Sequence, residues 1–201
     1  MTALLNLARG IDRLNAWVGK SVIWLILVAV LISAGNAIVR KAFNYSSNAL
    51  LELQWYLFSA VFLLGAAYTL QRNEHVRIDV IAGKFSKRTQ TWIDVFGTVF
   101  FLLPVTIMVL WLSWPVFVLS FQSQDSSNSA GGLILWPARL LVPVGFLLLT
   151  LQGFSELIKR LGFLSGVAPD PTDRHGEKSA EEELAEAIRR AEELKQQGPR
   201  S

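Results

Sequence analysis

His75 lies between Glu74 and Asp79, with Arg72 and Arg77 close by, in the polar run Gln71 to Asp79. An imidazole among carboxylates can act as a proton-sensitive group or as a hydrogen-bonding post, and the structural hydrogen bond is the simpler role. Lys84, Lys87 and Arg88 extend this run into the most basic connection of the chain. Such residues can bind phospholipid headgroups, but orientation of neighbouring spans in a bilayer accounts for most of them. Glu52 is an isolated acid that opens a long apolar run. It can pair with a basic group of another helix or with a lipid amine, or sit exposed beside the positive end of a helix dipole. Arg139 is expected to snorkel to the interface or pair with an acid, and Asp125 reads as simply solvated.

Other chemistry is sparse. Cys is absent, which removes disulfides and thiolate metal sites. The two His residues, His75 and His175, are too far apart for an obvious metal site. There is no Gly-rich phosphate loop, no nucleophile elbow and no metal-binding His pair. We therefore expect no catalytic, cofactor-binding or metal-ligating residue in this chain. The net charge of +3 and pI near 9.4 need no nucleic-acid partner, because the basic residues flank apolar segments.

The elements that would position these residues follow from hydropathy. The chain is 52% hydrophobic and only 17% charged, and its charges cluster between runs that nearly lack them. From Leu57 to Leu70 the residues are apolar all round, as in a helix whose surroundings are lipid or other membrane helices. The expected fold is all-α and polytopic, with four transmembrane helices at about 21–39, 49–70, 91–119 and 133–157. Residues 1–20 form an amphipathic interfacial helix with Arg9, Arg13 and Lys20. A cleaved signal peptide is the rival reading, disfavoured by the long lead-in and the spans that follow. Ser47 or Asn48 is expected to cap the second span, and Pro104 and Pro115 to bend the third. Gly65, Ala66 and Ala67 permit close helix contact, although small residues are common in membrane helices. Trp136 is most simply a belt residue at the interface.

The membrane domain thus covers 21–162, and 163–201 form a linker and a charged tail. Ser179 to Glu182 make a capping box, and Gly198-Pro199 end the tail helix. Basic residues crowd the N-terminal segment, the second connection and the end of the fourth span, so both termini are expected inside.

An ion-coupled carrier needs ionisable groups or broken helices near the bilayer middle, and neither is evident here. This points to a supporting subunit. A self-sufficient four-helix channel or carrier acting as a homo-oligomer is the alternative. A membrane enzyme or haem protein is a third class, disfavoured because both His lie outside the spans.

The order Glu52-Leu53, Gly65-Ala66-Ala67, then Arg72-Asn73-Glu74-His75-Val76-Arg77-Ile78-Asp79-Val80 resembles the small, Q-type membrane subunit of TRAP (tripartite ATP-independent periplasmic) transporters. Trp136-Pro137 and Pro143-Val144-Gly145 agree with it, and the resemblance covers roughly residues 10–160. It implies a bacterial inner-membrane scaffold that joins a large M-type subunit working by an elevator motion. A periplasmic substrate-binding protein would deliver an organic acid, and a sodium gradient would drive uptake. The substrate and sodium sites of such transporters belong to the large subunit. On this chain the resemblance leaves an interface with subunits or lipids, including bound phospholipid, at Glu52, Gly65, Ala66, Arg72, His75, Arg77, Asp79, Lys84, Trp136 and Arg139.

Overall fold

The computed structural model describes residues 2–44, 47–72 and 85–168. His75, Arg77, Asp79 and Lys84 lie outside the described residues, as do the capping box at Ser179 and the tail helix.

Helix α1 (Thr2–Phe43) is a single run of 42 residues. The lead-in and the first span are therefore one unbroken helix rather than two elements. No proline interrupts it, and its isolated glycines each cost only about 1 kcal/mol against Ala. At 1.5 Å per residue it measures about 63 Å, twice the ~30 Å of a hydrocarbon core. Helix α2 (Asn48–Gln71) runs back beside it. Ser47 occupies its N-cap position without a capping side-chain hydrogen bond, so the expected cap is not made.

The third long helix is composite. Helix α3 (Lys87–Gly97) passes through a π-helical turn (Thr98–Leu102) into α4 (Leu103–Ser123). Pro104 explains the turn: it has no N–H, and its ring crowds the carbonyl four residues back, which loosens the preceding ladder. Ser86 caps α3 by accepting from the Thr89 amide. Helix α5 (Trp136–Leu164) completes the bundle. Among the described residues, four helices are long and apolar enough to cross a membrane.

Helix α5 is the centre of the bundle. It packs against α1, α2, α3 and α4, and its inward side is small or polar. Gly145, Thr150, Gln152, Gly153, Ser155, Glu156 and Arg160 are all buried. Helix α1 answers with a buried stripe at every seventh residue: Ala8, Asn15, Val22, Ala29 and Asn36. Large apolar side chains point outward, with Trp55, Phe62 and Trp111 each more than 70% exposed. This inverts a soluble protein. In lipid the tails are as apolar as Leu, so small side chains that let backbones approach, and interhelical hydrogen bonds, hold the interior. At Gly145 α5 comes close to the α2 backbone, and an added Cβ there would lie 2.8 Å from the Leu63 carbonyl oxygen.

Candidate subunit interface

The bundle has two polar ends. At one end the loop 124–135 folds back over α2. Gln124 adopts a left-handed conformation to leave α4, and an isolated bridge joins Ser126 to Ile134. The Ser127 amide donates to Leu133 (2.9 Å) and the Leu135 amide to Asp125 (3.0 Å). Three side chains one turn apart on α2 hold this loop. The Asn48 amide donates to the Ala130 carbonyl at 3.1 Å. The Tyr56 hydroxyl donates to the Ile134 carbonyl at 3.0 Å. Between them, Glu52 accepts from the Ser127 hydroxyl and, at 2.7 Å, from the Leu133 amide. Glu52 thus serves the loop through a hydroxyl and a backbone N–H rather than a cation or the N-terminus of its own helix.

Asp125 secures the other side of the loop. Arg139 of α5 donates to it at 2.7 Å, and Ser120 and Ser123 of α4 donate as well. The Ser120 hydroxyl, helped by Ser123 and the Arg139 guanidinium, holds the Asp125 carboxyl below the usual carboxylate range against an opposing push from burial. The reading of Asp125 as merely solvated is corrected: its acceptors are used within the fold. Arg139 takes the acid partner that was one of its two expected fates. Trp136 packs edge-on against Phe121 of α4, with ring centroids 5.4 Å apart.

At the opposite end a polar network ties α1 to α5. Asn15 donates its amide to Gln152 Oε1 at 2.7 Å. Gln152 donates in turn to Asp12 Oδ1 at 2.9 Å and to Glu156 Oε1 at 3.1 Å. Ser155 donates to Asp12 at 2.8 Å, and Lys159 bridges Asp12 and Glu156. Arg160 extends the network to α3: its guanidinium lies 3.5 Å from Asp94 and donates to the Thr98 hydroxyl at 3.3 Å. The π-helical turn therefore begins at a residue held by α5. A buried charge is tolerated only when it is paired and hydrogen-bonded, and here each ion has opposite charge beside it.

The expected interface residues divide between these ends and the middle. Glu52, Trp136 and Arg139 gather at the loop end. Arg72 closes α2 at the other end, with its guanidinium over the Tyr68 ring and its Nε donating to the Tyr68 hydroxyl. Gly65 and Ala66 lie half-buried between, and a Cβ at Gly65 would meet only Val22 at 4.0 Å. Asn15, Gln152, Asp12, Glu156 and Arg160 were not singled out from sequence. The signal available was the seven-residue spacing that puts Asn15 and Asn36 in register with Ala8, Val22 and Ala29.

Comparison with known proteins agrees with this architecture. A family model described as tripartite ATP-independent periplasmic transporters, DctQ component, matches residues 16–162. Neither the curated proteins nor the solved structures contain a match. The match takes in all four long helices, from Ala16 of α1 to Gly162 near the end of α5, and leaves out the first part of α1 with Asp12 and Asn15. The chain belongs to the DctQ family and is a small membrane component of a TRAP transporter, a family that implies association with a large membrane subunit and a binding protein.

Proposed function

We propose that this chain is the stationary, non-catalytic brace of its transporter. It supports the frame of the large elevator-type subunit in the bilayer, and its 124–135 loop offers a fixed surface to the substrate-binding protein. In this reading the Asp12–Gln152 end faces the cytoplasm of a bacterial cell and the loop end faces the periplasm. The basic N-terminal segment and the Lys159-Arg160 end of α5 favour that orientation. Cargo, an organic acid, and the sodium ions that drive it pass through the large subunit.

One observation carries the proposal: both ends of the bundle are fastened to α5 or its leading loop by charged side chains whose partners lie within this chain. Groups spent on holding helices together suit a rigid frame better than a carrier whose site must bind and release. Reconstitution tests it. Proteoliposomes holding this chain alone should show no uptake, and adding the large subunit and the binding protein should restore it. Uptake by the purified chain alone would overturn the proposal in favour of a self-sufficient channel or carrier.

A further inference from the structure

The fastening of α1 to α5 leaves its opposite side bare. Arg9, Arg13, Trp17, Lys20 and Trp24 recur at spacings of four and three, so they share one face, turned away from buried Ala8, Asn15 and Val22. All five are exposed, Trp17 by 70% and Trp24 by 69%. The nearest acid, Asp12, faces α5 and is taken by Lys159 and Ser155. Arg9 donates to the Asn6 side chain one turn back. Among the described residues no ion pair involves Arg13 or Lys20.

The same face continues as Leu27, Leu31 and Ile38, which are exposed by 48%, 62% and 66%. One stripe thus passes from two arginines, through Trp17, Lys20 and Trp24, to hydrocarbon. Orientation of a helix needs only positive charge near its end. It does not require that charge to be sorted onto one face in line with an apolar track.

We propose that Arg13 and Lys20, with Trp17 between them, form a site for the headgroup of an anionic glycerophospholipid whose acyl chains follow Trp24, Leu27 and Leu31. Arg13 and Lys20 stand about 10 Å apart along the axis, two turns of the helix. The Lys20 stem can lie along the apolar surface while its ammonium turns back toward the headgroup. The Trp17 indole suits the boundary between the two, apolar in body and polar at one edge. Unpaired cations select a lipid of negative charge over a zwitterionic one. The inference rests on α1 being a membrane helix and is independent of whether the chain braces a transporter.

Native mass spectrometry of the detergent-purified full chain tests it, with phosphatidylglycerol and phosphatidylcholine of the same acyl chains as probes. The wild type should retain phosphatidylglycerol preferentially. R13Q/K20Q should retain about thirtyfold less, the loss expected from two surface cations. R40Q/K41Q, at the far end of the same helix, should keep the wild-type preference. R13K/K20R preserves both charges and should also keep it, which guards against a variant that fails to fold. Equal retention of the two lipids by the wild type, or unchanged preference in R13Q/K20Q, overturns the proposal. So does displacement of the adducts by an equal concentration of sn-glycerol 3-phosphate, which would mark a soluble phosphate site. If R13Q/K20Q loses the large subunit on co-purification but keeps its lipid preference, the stripe faces protein and the lipid site is rejected.

Discussion

Asn15 and Gln152 meet amide to carbonyl at 2.7 Å, 137 residues apart in the chain and both essentially without solvent exposure. Neither can turn to water when its partner is removed. Gln152 is the more consequential of the two, because its amide also serves Asp12 and Glu156. Gln152→Leu should destabilise the bundle by about 1–3 kcal/mol, the cost of leaving buried polar groups unmet. Asn15→Ala should cost less. A double-mutant cycle on thermal or denaturant stability in detergent should return a coupling of about 0.5–2 kcal/mol. Additive losses would show that the two side chains act separately.

Gly145 and Gly65 make a matched contrast. A Cβ at Gly145 would press on the backbone of Leu63, which cannot swing aside as a side chain can. Gly145→Ala should therefore separate α5 from α2 and cost about 1–3 kcal/mol. Gly65→Ala has room beside Val22 and should stay within about 0.5 kcal/mol. Melting temperatures of the two variants in the same detergent check the contrast. Gly65→Leu asks a different question, since its bulk would reach beyond the bundle. It should weaken co-purification with the large subunit if that face meets a neighbouring helix, and unchanged co-purification would exclude the contact.

The four spans were legible because a bilayer sets a length, and apolar runs such as Leu57 to Leu70 meet it without any partner being known. The order from Glu52 through Gly65-Ala66-Ala67 to Asp79 was enough to indicate the family. The interior was not legible, for a physical reason. In water the buried side of a helix is its large apolar side, and that habit picks out Trp24, Leu27 and Leu31 on α1. In lipid the sign reverses, and the stripe that meets α5 is Ala8, Asn15, Val22, Ala29 and Asn36. Asp125 read as solvated because its cation, Arg139, sits 14 residues away across a turn that hydropathy does not show. Glu52 carried no visible partner, since a serine hydroxyl and a backbone amide leave no charge pattern to find.

The Asp125 site should make the loop end sensitive to acid. Its carboxyl is held below the ordinary aspartate value, chiefly by Ser120, so the folded state binds this proton less readily than the unfolded chain does. The stabilisation is complete above the unfolded value of about 3.9 and is lost as pH falls through the lower folded value. Thermal midpoints of the wild type should fall between pH 6 and pH 3. The part of that fall due to this group should disappear in Asp125→Asn, which leaves Arg139 without its anion at every pH. An identical acid slope in the two proteins would place the acid-labile groups elsewhere.

Glu52 decides whether the loop is a fixed surface or a loose strap. Its two oxygens take separate donors, the Ser127 hydroxyl and the Leu133 amide, and charge-assisted bonds of this kind are stronger than neutral ones. Asn48 and Tyr56 would still hold Ala130 and Ile134 if Glu52 were removed, so the loop should loosen at its centre before it detaches. Glu52→Ala should raise amide hydrogen exchange across 127–133 by about tenfold, equivalent to about 1.4 kcal/mol of local opening. Exchange in α5 beyond Gly145 should not change, because the Gln152 network closes the far end of that helix independently. Glu52→Gln should fall between the two, since its carbonyl can keep one donor while its amide faces the other. If Glu52→Ala instead raised exchange along the whole of α5, the two ends would be coupled through the helix, and the loop could not be treated as a separately held docking surface.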